Sequence, residues 1–352
     1  MIMKFEKVNQ LLEQKNLDAI VVLSPHNRRY LSLFTGSSGA LVISRDKRFL
    51  VTDFRYTVQA AEQAGEFEVV KQSGGLLDSV AEVIKTISAE TVGFEGDLIT
   101  YQQFAKLKQT MDLVDIGGEI EQIRMIKEPF EIDLIQKAAD IADETYEHIL
   151  KFVRAGMTEM EVNNEIEMFM RKNGASGSSF ETIVASGHRG ALPHGVATNK
   201  VINNGEMITL DYGAIYQGYI SDITRSFAIG DPGEEMKKVY DIVLKSQVTA
   251  LETVKPGMTG AEADAIARNI IKDAGYGDNF GHSLGHGIGL EVHEGPGLSS
   301  NSDIKLQKNM CVTLEPGIYV EGLGGVRIED DVIVTETALK RFTHSTKDLI
   351  IL

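Results

Sequence analysis

The sequence predicts an α/β domain followed by an α+β domain that contains an internal duplication. Three observations predict this fold class. Strand-like and helix-like segments alternate over residues 1–120, a long helical pattern begins at Pro129, and residues 153–161 (VRAGMTEME) are echoed by residues 254–262 (VKPGMTGAE). A chain of 352 residues is long enough for two such domains.

The first region alternates between two kinds of hydrophobic pattern. Apolar, β-branched runs predict strands over residues 18–24 (DAIVVLS), 40–44 (ALVIS), 48–53 (RFLVTD) and 91–96 (TVGFEG). Apolar residues at helical spacing predict helices over residues 6–15 (EKVNQLLEQK), 79–87 (SVAEVIKTI) and 101–111 (YQQFAKLKQTM). Such an alternation is typical of an α/β domain.

The boundary between the regions is expected at residues 118–128. A helical pattern covers residues 130–153, and Pro129 suits the first turn of that helix. The predicted domains are therefore residues 1–122 and residues 123–352.

The second region repeats both its helices and its acids. In each copy of the first motif a Thr is followed three residues later by Glu, a capping box that predicts a helix start. Residues 209–213 (TLDYG) return as residues 313–317 (TLEPG), and a further acid follows in each half. The four acids in these apolar strands are Asp211, Asp222, Glu315 and Glu329. A pseudo-twofold axis would bring the four carboxylates together.

Four converging carboxylates need compensating charge, because like charges a few ångströms apart cannot all stay ionised. A lone pair of acids could share a proton. Four acids together with a histidine better suit two divalent metal ions. The oxygen-rich ligand set with an imidazole favours Mn²⁺, and Co²⁺ or Zn²⁺ would also fit.

The histidines come from residues 281–294 (GHSLGHGIGLEVHE), which contain His282, His286 and His293. His282 and His286 have the spacing of a zincin motif, but the intervening glycines disfavour a helix and no Glu follows His282. No strand–loop–helix pattern surrounds the glycines, so a dinucleotide loop is excluded as well. We expect an extended, glycine-lined segment that lets a metal or substrate come close.

Each of these residues also has a simpler explanation. Asp211 could cap a turn, and Asp222 could form a local salt bridge with Arg225. Glu329 could belong to a charged strand end, because two further acids follow it. His26, His148, His188 and His344 are expected to be ordinary surface or core residues.

Composition narrows the class of protein. The formal net charge of −16 argues against a nucleic-acid or anionic-membrane partner. No apolar run approaches the roughly 18 residues that a membrane span requires, and the N-terminus resembles no targeting segment. Cys311, the single cysteine, lies in an apolar run and is expected to be a buried thiol. We therefore expect a cytoplasmic protein.

The combined motifs resemble a known family. The motifs PHG (193–195), LDYG (210–213), SDITRS (221–226), GHGIG (285–289), VHE (292–294), LEPGIY (314–319) and RIEDD (327–331) look like those of the pita-bread metallopeptidases. That family includes methionine aminopeptidase, aminopeptidase P and prolidase. The resemblance covers residues 125–352, and an N-terminal α/β domain of this size is similar to that of aminopeptidase P and prolidase. Residues 34–39 (FTGSSG) and 52–56 (TDFRY) look more like aminopeptidase P.

The resemblance implies a role for each site residue. It implies metal ligation by Asp211, Asp222, His286, Glu315 and Glu329. It also implies that Glu315 moves a proton toward the leaving nitrogen, and that His194 and His293 donate hydrogen bonds to the substrate and to the tetrahedral intermediate. His282 would lie near the proline, and Arg327 would hold a ligand carboxylate at the substrate site.

The activity implied by the resemblance is that of an Xaa-Pro aminopeptidase. A hydroxide bridging two metal ions would attack the bond between an N-terminal residue and a following proline. The alternatives are an Xaa-Pro dipeptidase, a non-catalytic binding protein of the same fold, and metal-free chemistry of the creatinase type. Peptides with proline in the second position would be the substrates, and the family suggests a homodimer.

Overall fold

The computed structural model describes the backbone of residues 2–352 and the side chains from residue 4 onward. It divides into two compact units, Met1–Arg124 and Met125–Leu352. The predicted α/β unit followed by a duplicated α+β unit is confirmed.

The first unit is a six-stranded mixed sheet with helices between its strands. Its elements are α1 (Ile2–Gln14), β1 (Ala19–Val22), α2 (Pro25–Ser32), β2 (Ala40–Ser44), β3 (Arg48–Thr52), α3 (Thr57–Gln63), β4 (Glu68–Lys71), α4 (Leu76–Thr86), β5 (Thr91–Phe94), α5 (Tyr101–Leu107), β6 (Asp112–Asp115) and α6 (Glu119–Met125). The strand order is β4-β3-β2-β1-β5-β6. β1 pairs antiparallel with β2 and parallel with β5.

The elements that the sequence did not predict are the short ones. β4 and β6 are the two edge strands of the sheet, and each has four residues with exposed ends and a half-buried centre. Edge strands bury less apolar surface than central strands, so neither shows the apolar run that reveals β1 or β2. The unpredicted helices α2, α3 and α6 have only seven or eight residues. Helix α5 is equally short, but the helical spacing of its apolar residues continues to Met111, which made it recognisable.

The second unit contains four long helices and several small antiparallel sheets. Its elements are α7 (Pro129–Phe152), α8 (Glu159–Lys172), β7 (Gly177–Ser178), β8 (Ile183–Ser186), β9 (Glu206–Tyr212), β10 (Ala214–Tyr216), β11 (Tyr219–Ile220), β12 (Ile223–Ile229), α9 (Glu234–Thr253), α10 (Gly260–Asp273), β13 (Gly285–Gly287), β14 (Glu294–Leu298), β15 (Cys311–Leu314), β16 (Gly317–Val320), β17 (Gly324–Arg327), β18 (Asp330–Val334) and β19 (Leu339–Arg341), with 3-10 turns at Gly187–Ala191 and Gly277–Asn279.

The duplication is visible in the order of these elements. Helices α7 and α8 precede the sheet β12-β9-β8, and helices α9 and α10 precede a sheet that contains β13-β15-β18. The two sheets meet where the backbone N–H of Glu329 donates to the carbonyl of Thr224 at 3.1 Å. Equivalent strands of the two halves therefore end beside each other, and those ends carry the acids.

The repeated motif has the same physical function in both halves. Thr158 caps α8 and Thr259 caps α10, each through a reciprocal bond with the Glu three residues later, as predicted. Two residues before each Thr, Gly156 and Gly257 adopt φ values of 92° and 90°. Side chains with a Cβ rarely adopt that backbone conformation, which explains why both copies of the motif contain glycine.

Strand β9 shows how an apolar strand can present an acid. Side chains alternate between the faces of a strand, and Ile208, Leu210 and Tyr212 enter the core that also contains residues of α7 and α8. Thr209 and Asp211 point to the opposite face. The strand thereby fixes Asp211 without placing its carboxylate among the apolar side chains.

The structure also bears on the predictions for Cys311 and for membrane-spanning segments. Cys311 is fully buried in β15, and burial raises the pKa of its thiol to about 12. Among residues 2–352, no helix combines the length and apolarity that crossing a bilayer would require.

Candidate active site

The predicted metal ligands come from strands and strand ends of both halves. Asp211 lies on β9 and Asp222 immediately precedes β12. His286 lies on β13, Glu315 immediately follows β15, and Glu329 lies between β17 and β18. The first half thus supplies two acids, and the second half supplies two acids and the imidazole.

These side chains converge in three dimensions. Asp222, His286 and Glu329 each offer one potential ligand atom, and the three atoms lie within 4.8 Å of one another. The Nε2 of His286 is 3.3 Å from Oε1 of Glu315 and 3.8 Å from Oδ2 of Asp222. This spacing is suitable for side chains that share cations between them.

Unpaired carboxylate oxygens show that the donor set fits metal ions. Oδ1 of Asp211, Oδ1 of Asp222 and Oε1 of Glu329 are buried and have no hydrogen-bond partner among the residues that the structure describes. Buried polar atoms nearly always have a partner, because leaving one unpaired costs about 1–3 kcal/mol. Three such oxygens around one imidazole therefore match the requirements of divalent cations.

The protonation equilibria reflect this crowding. Burial, followed by repulsion from neighbouring carboxylates, raises the pKa of Asp222 and of Glu329 well above the usual range. Burial also opposes ionisation of Glu315, yet the hydrogen bond and charge of His286 lower the net pKa of that carboxyl. The same partnership raises the pKa of His286 against the effect of its burial. Without cations, the deepest acids therefore hold their protons to higher pH than ordinary carboxyl groups do.

Arg327 connects the metal centre to the wall of the cleft. Its Nη2 donates to Oδ2 of Asp211, and its Nη1 donates to the hydroxyl of Tyr319 at 2.7 Å. That hydroxyl lies 2.8 Å from Nε2 of His282. Tyr319 lies in the LEPGIY motif, but no role was predicted for it, because its contacts form only when β16 and β17 pair as a hairpin.

Hydroxyls and a fifth acid hold the ligands in place. The hydroxyl of Thr224 donates to Oε2 of Glu329 at 2.6 Å. The hydroxyl of Thr313 donates to Oε1 of Glu315 at 3.1 Å. Asp331 accepts the backbone N–H of Asp222 at 2.8 Å. These supporting roles were not predicted from the sequence. Both threonines lie two residues from a predicted ligand, and that spacing is the signal that could have revealed them.

Two of the simpler explanations are wrong. Arg225 pairs with Asp330 at 2.7 Å and not with Asp222. Asp330 and Asp331 are fully buried, so RIEDD is not a charged strand end. Asp330 is paired with cations. Asp331 accepts one backbone amide through Oδ2, its Oδ1 is unpaired in the part of the chain that the structure describes, and burial raises its pKa well above the usual range.

The four remaining histidines have different environments. His148 contacts Glu165 at 2.6 Å and stacks on Phe169 with ring centroids 4.1 Å apart. His344 lies near Asp143. The other two are His26 and His188. None of the four lines the cleft, which agrees with the expectation that they are surface or core residues without a catalytic role.

The centre opens into a cleft of about 620 Å³. The predicted site residues that line it are His194, Asp211, His282, His286, His293, Glu315 and Arg327. Burial lowers the pKa of His282 and of His293. Asp222 and Glu329 do not line the cleft, and their buried carboxylates belong to the deepest part of the centre.

The glycines around His286 allow close approach of neighbouring strands in the sheet rather than of a ligand in the cleft. A Cβ at Gly285 would lie 2.1 Å from the carbonyl oxygen of Thr313, and one at Gly287 would lie 2.1 Å from that of Gly295. The expectation of an extended segment is confirmed for Gly285–Gly287, which form β13. The absent side chains let neighbouring backbones approach, and the imidazole is fixed as a result.

A centre of this composition, built by a duplicated α+β domain, defines a metallopeptidase of the pita-bread fold. Residues 133–336 match the model of metallopeptidase family M24, and residues 4–126 match that of the creatinase/prolidase N-terminal domain. The chain belongs to metallopeptidase family M24.

Individual relatives match over nearly their whole length. The structure of an Xaa-Pro dipeptidase from Bacillus anthracis is 48% identical with a TM-score of 0.98, covering 100% of this chain and 99% of that one. An X-Pro aminopeptidase structure from Thermotoga maritima is 40% identical with a TM-score of 0.92, covering 99% of each chain. An Xaa-Pro dipeptidase of Pyrococcus furiosus is 40% identical over 99% of both sequences.

Proposed function

We propose that this protein is a dinuclear metal-dependent Xaa-Pro dipeptidase, which hydrolyses the bond between an N-terminal residue and a following proline. The observation that carries the proposal is the cluster of four acids and one imidazole, with three unpaired buried oxygens, beside a histidine-lined cleft. The relatives from Bacillus anthracis and Pyrococcus furiosus are named Xaa-Pro dipeptidases, which supports the substrate class.

The second candidate is the Xaa-Pro aminopeptidase that the sequence motifs favoured. The Thermotoga maritima structure bears that name and supports it. Both activities use the same chemistry and differ in whether the cleft accommodates chain beyond the proline. The dipeptidases among the named relatives make the dipeptidase the better supported of the two.

The proposed ligands of the two ions are Asp211, Asp222, His286, Glu315 and Glu329. When bound, divalent cations polarise the scissile carbonyl and lower the pKa of the attacking water. We propose Mn²⁺ as the native metal, since carboxylate oxygens dominate the donor set; Co²⁺ and Zn²⁺ are the competitors. Potential ligand atoms of Asp222 and Glu329, which come from opposite halves, lie within 4.8 Å of each other, so the two residues would hold the ions together.

The chain's own residues would bind the substrate and move the proton. His194 and His293 line the cleft and would donate hydrogen bonds to the carbonyl oxygen as negative charge develops there. The lowered pKa of Glu315 keeps its carboxyl ionised, so it would accept the proton that the attacking water releases and deliver it to the leaving proline nitrogen. His282 would contact the proline side of the substrate.

The contacts of Arg327 favour a role in holding a metal-ligand side chain in place rather than in binding the substrate directly. Its three guanidinium nitrogens donate to Asp211, Tyr319, Thr224 and the carbonyl of Pro193. These bonds occupy the guanidinium and leave it 3% exposed. We therefore propose that Arg327 orients Asp211, at the edge of the substrate site.

We also infer that residues 123–352 carry the catalysis and that residues 1–122 form an accessory domain. The homodimer and the cytoplasmic location expected from the sequence remain predictions. Sedimentation of the purified protein would test the first of these.

The deciding experiment compares metals and peptide lengths together. The protein is stripped with chelator, reloaded with Mn²⁺, Co²⁺ or Zn²⁺, and assayed on an Xaa-Pro dipeptide beside an Xaa-Pro-Xaa tripeptide. Metal-dependent cleavage of the dipeptide with little cleavage of the tripeptide is expected. Efficient cleavage of the tripeptide would establish the aminopeptidase instead, and no cleavage despite two bound ions would overturn both.

A further inference from the structure

We propose that three acid–base pairs outside the metal cluster are positioning pairs, and that each fixes a loop bearing one non-ligand histidine of the cleft. The pairs are Glu159–Arg189, Asp264–Arg268 and Glu294–Lys127. The inference rests on the proposed function, in which these histidines contact substrate. The acid side chains are 0%, 1% and 6% exposed, respectively.

The first pair holds the loop of His194. Glu159, in the first turn of α8, accepts the backbone N–H groups of Ser186 at 2.9 Å and Thr198 at 3.1 Å. These residues flank the loop at both ends. Arg189 bonds to the same carboxylate, and its Nη2 donates to the carbonyl of Val196 at 2.8 Å, two residues from the histidine.

The second pair holds the loop of His282. Asp264 and Arg268 lie one turn apart on α10 and form two hydrogen bonds, at 2.6 and 2.8 Å. Arg268 also donates to the carbonyl of Phe280 at 3.0 Å and to that of His282 itself at 2.7 Å. Asp264 accepts the N–H of Leu284 at 3.0 Å. The segment on both sides of the histidine is thereby tied to one helix face.

The third pair holds the loop of His293. Oε1 of Glu294 accepts the N–H groups of Leu290 at 2.8 Å and Glu291 at 3.0 Å. Its Oε2 accepts from the ammonium of Lys127 at 3.1 Å, and the lysine side chain is 1% exposed. The carboxylate thus closes the loop between β13 and β14 directly beside the histidine.

The three positioning pairs rest on the same physical principle. A buried carboxylate must be paired, and each of these acids obtains its partners from the backbone of one loop and from one cation. Moving the loop would therefore leave a buried charge with missing hydrogen bonds. None of the six side chains is a predicted metal ligand, so the pairs can fix histidine geometry separately from metal binding.

The test uses histidine ring signals in NMR spectra of the full-length protein, recorded with and without Zn²⁺. Glu159→Gln should shift or broaden the His194 signal, Asp264→Asn that of His282, and Glu294→Gln that of His293. Each substitution should leave the other two signals in place. A generally destabilised fold would move all three, so the one-to-one pattern is the signature of positioning.

A matched control and a conservative variant complete the design. Glu165→Gln lies on the same helix as Glu159 and removes a pair with His148 that ties down no cleft loop. All three ring signals should stay unchanged in this control. Arg268→Lys retains a cation beside Asp264 and should perturb the His282 signal less than Asp264→Asn does.

Activity gives the second readout, at unchanged metal content. Each positioning variant should lower kcat/KM about 10- to 100-fold, the range found for residues that orient active-site groups from outside. Ring signals identical to wild type in all three folded variants would overturn the proposal. A wild-type protein that cleaves no Xaa-Pro peptide while the ring signals follow the one-to-one pattern would instead overturn the proposed function and keep the positioning pairs.

Discussion

Arg327 donates a hydrogen bond from Nη2 to Oδ2 of Asp211, while Oδ1 of the same carboxylate has no partner within the described part of the chain. The carboxylate is therefore paired on one side and open on the other. Burial raises the pKa of Asp211 even beside the guanidinium. A cation at the open oxygen would complete the coordination of this acid.

Arg327→Met should weaken metal binding and catalysis together. The substitution keeps an apolar stem of similar length but leaves Asp211 free to rotate and without its counter-charge. We expect kcat/KM to fall about 10- to 100-fold and the affinity for one of two Mn²⁺ ions to fall similarly. Calorimetric titration of the metal-free variant measures the second effect. Lys308→Met, which removes an exposed ion pair, is the control and should match wild type.

Asp222→Asn should separate stability from function. Replacing this acid removes a buried group whose pKa is raised by burial and by repulsion from Glu329. The metal-free variant should therefore melt at a higher temperature than the metal-free wild type. It should also lose bound metal, measured by elemental analysis after dialysis, and nearly all activity. A lower melting temperature without metal would contradict the proposed crowding of charge.

The metal-free protein should lose stability as pH rises. Because burial and repulsion raise the pKa of Asp222 and Glu329, the folded chain holds protons that the unfolded chain has already released above the ordinary carboxyl range. Stability then falls with pH until the folded-state pKa is passed. The raised pKa of His286 acts in the same direction. The lowered pKa values of His282 and His293 act oppositely, but only up to the ordinary value of 6.5.

The measurement is denaturant unfolding at about pH 7 and about pH 8, with and without Mn²⁺. Each carboxyl that stays protonated only in the folded state contributes a loss of about 1.4 kcal/mol per pH unit. The stabilisation by Mn²⁺ should grow over the same interval, since the ions replace those protons. A metal-free stability that is flat or rises would contradict this assignment.

Asp330→Asn should destabilise the fold without touching a metal ligand. Asp330 pairs with Arg225 at 2.7 Å and with Lys347 at 2.6 Å, and the guanidinium of Arg225 is 1% exposed. Removing one partner of a buried pair typically costs about 3–5 kcal/mol, because the remaining charge stays buried. Urea unfolding measures this cost. Glu336→Gln, in an exposed pair with Lys308, should cost at most about 1 kcal/mol.

The sequence determined the duplicated architecture because its signals are local. A capping box needs a Thr and a Glu three residues apart, and a left-handed turn favours glycine. Both copies of the repeated motif contain these residues, so each predicts a helix start. Acids in apolar strands are equally visible, since an unpaired buried carboxylate is costly wherever the strand lies. The candidate ligands Asp211 and Glu315 could be recognised for that reason.

The partners of those acids were decided only in three dimensions. Arg225 lies three residues from Asp222 yet pairs with Asp330, more than a hundred residues away. Likewise, the two acids after Glu329 look like a solvated strand end but are buried. Sequence proximity gave the wrong pairing, because neighbouring side chains on a strand point to opposite faces.

The positioning of the cleft histidines shows the same division. The glycine-rich segment and its histidines were evident from residues 281–294. The loop of His282 is tied to α10, and the loop of His293 is tied through Glu294 to Lys127. In the first half of the domain, the loop of His194 is tied to α8 in the same way. Local chemistry therefore predicts which side chains act, whereas hydrogen bonds formed on folding place the loops that carry them.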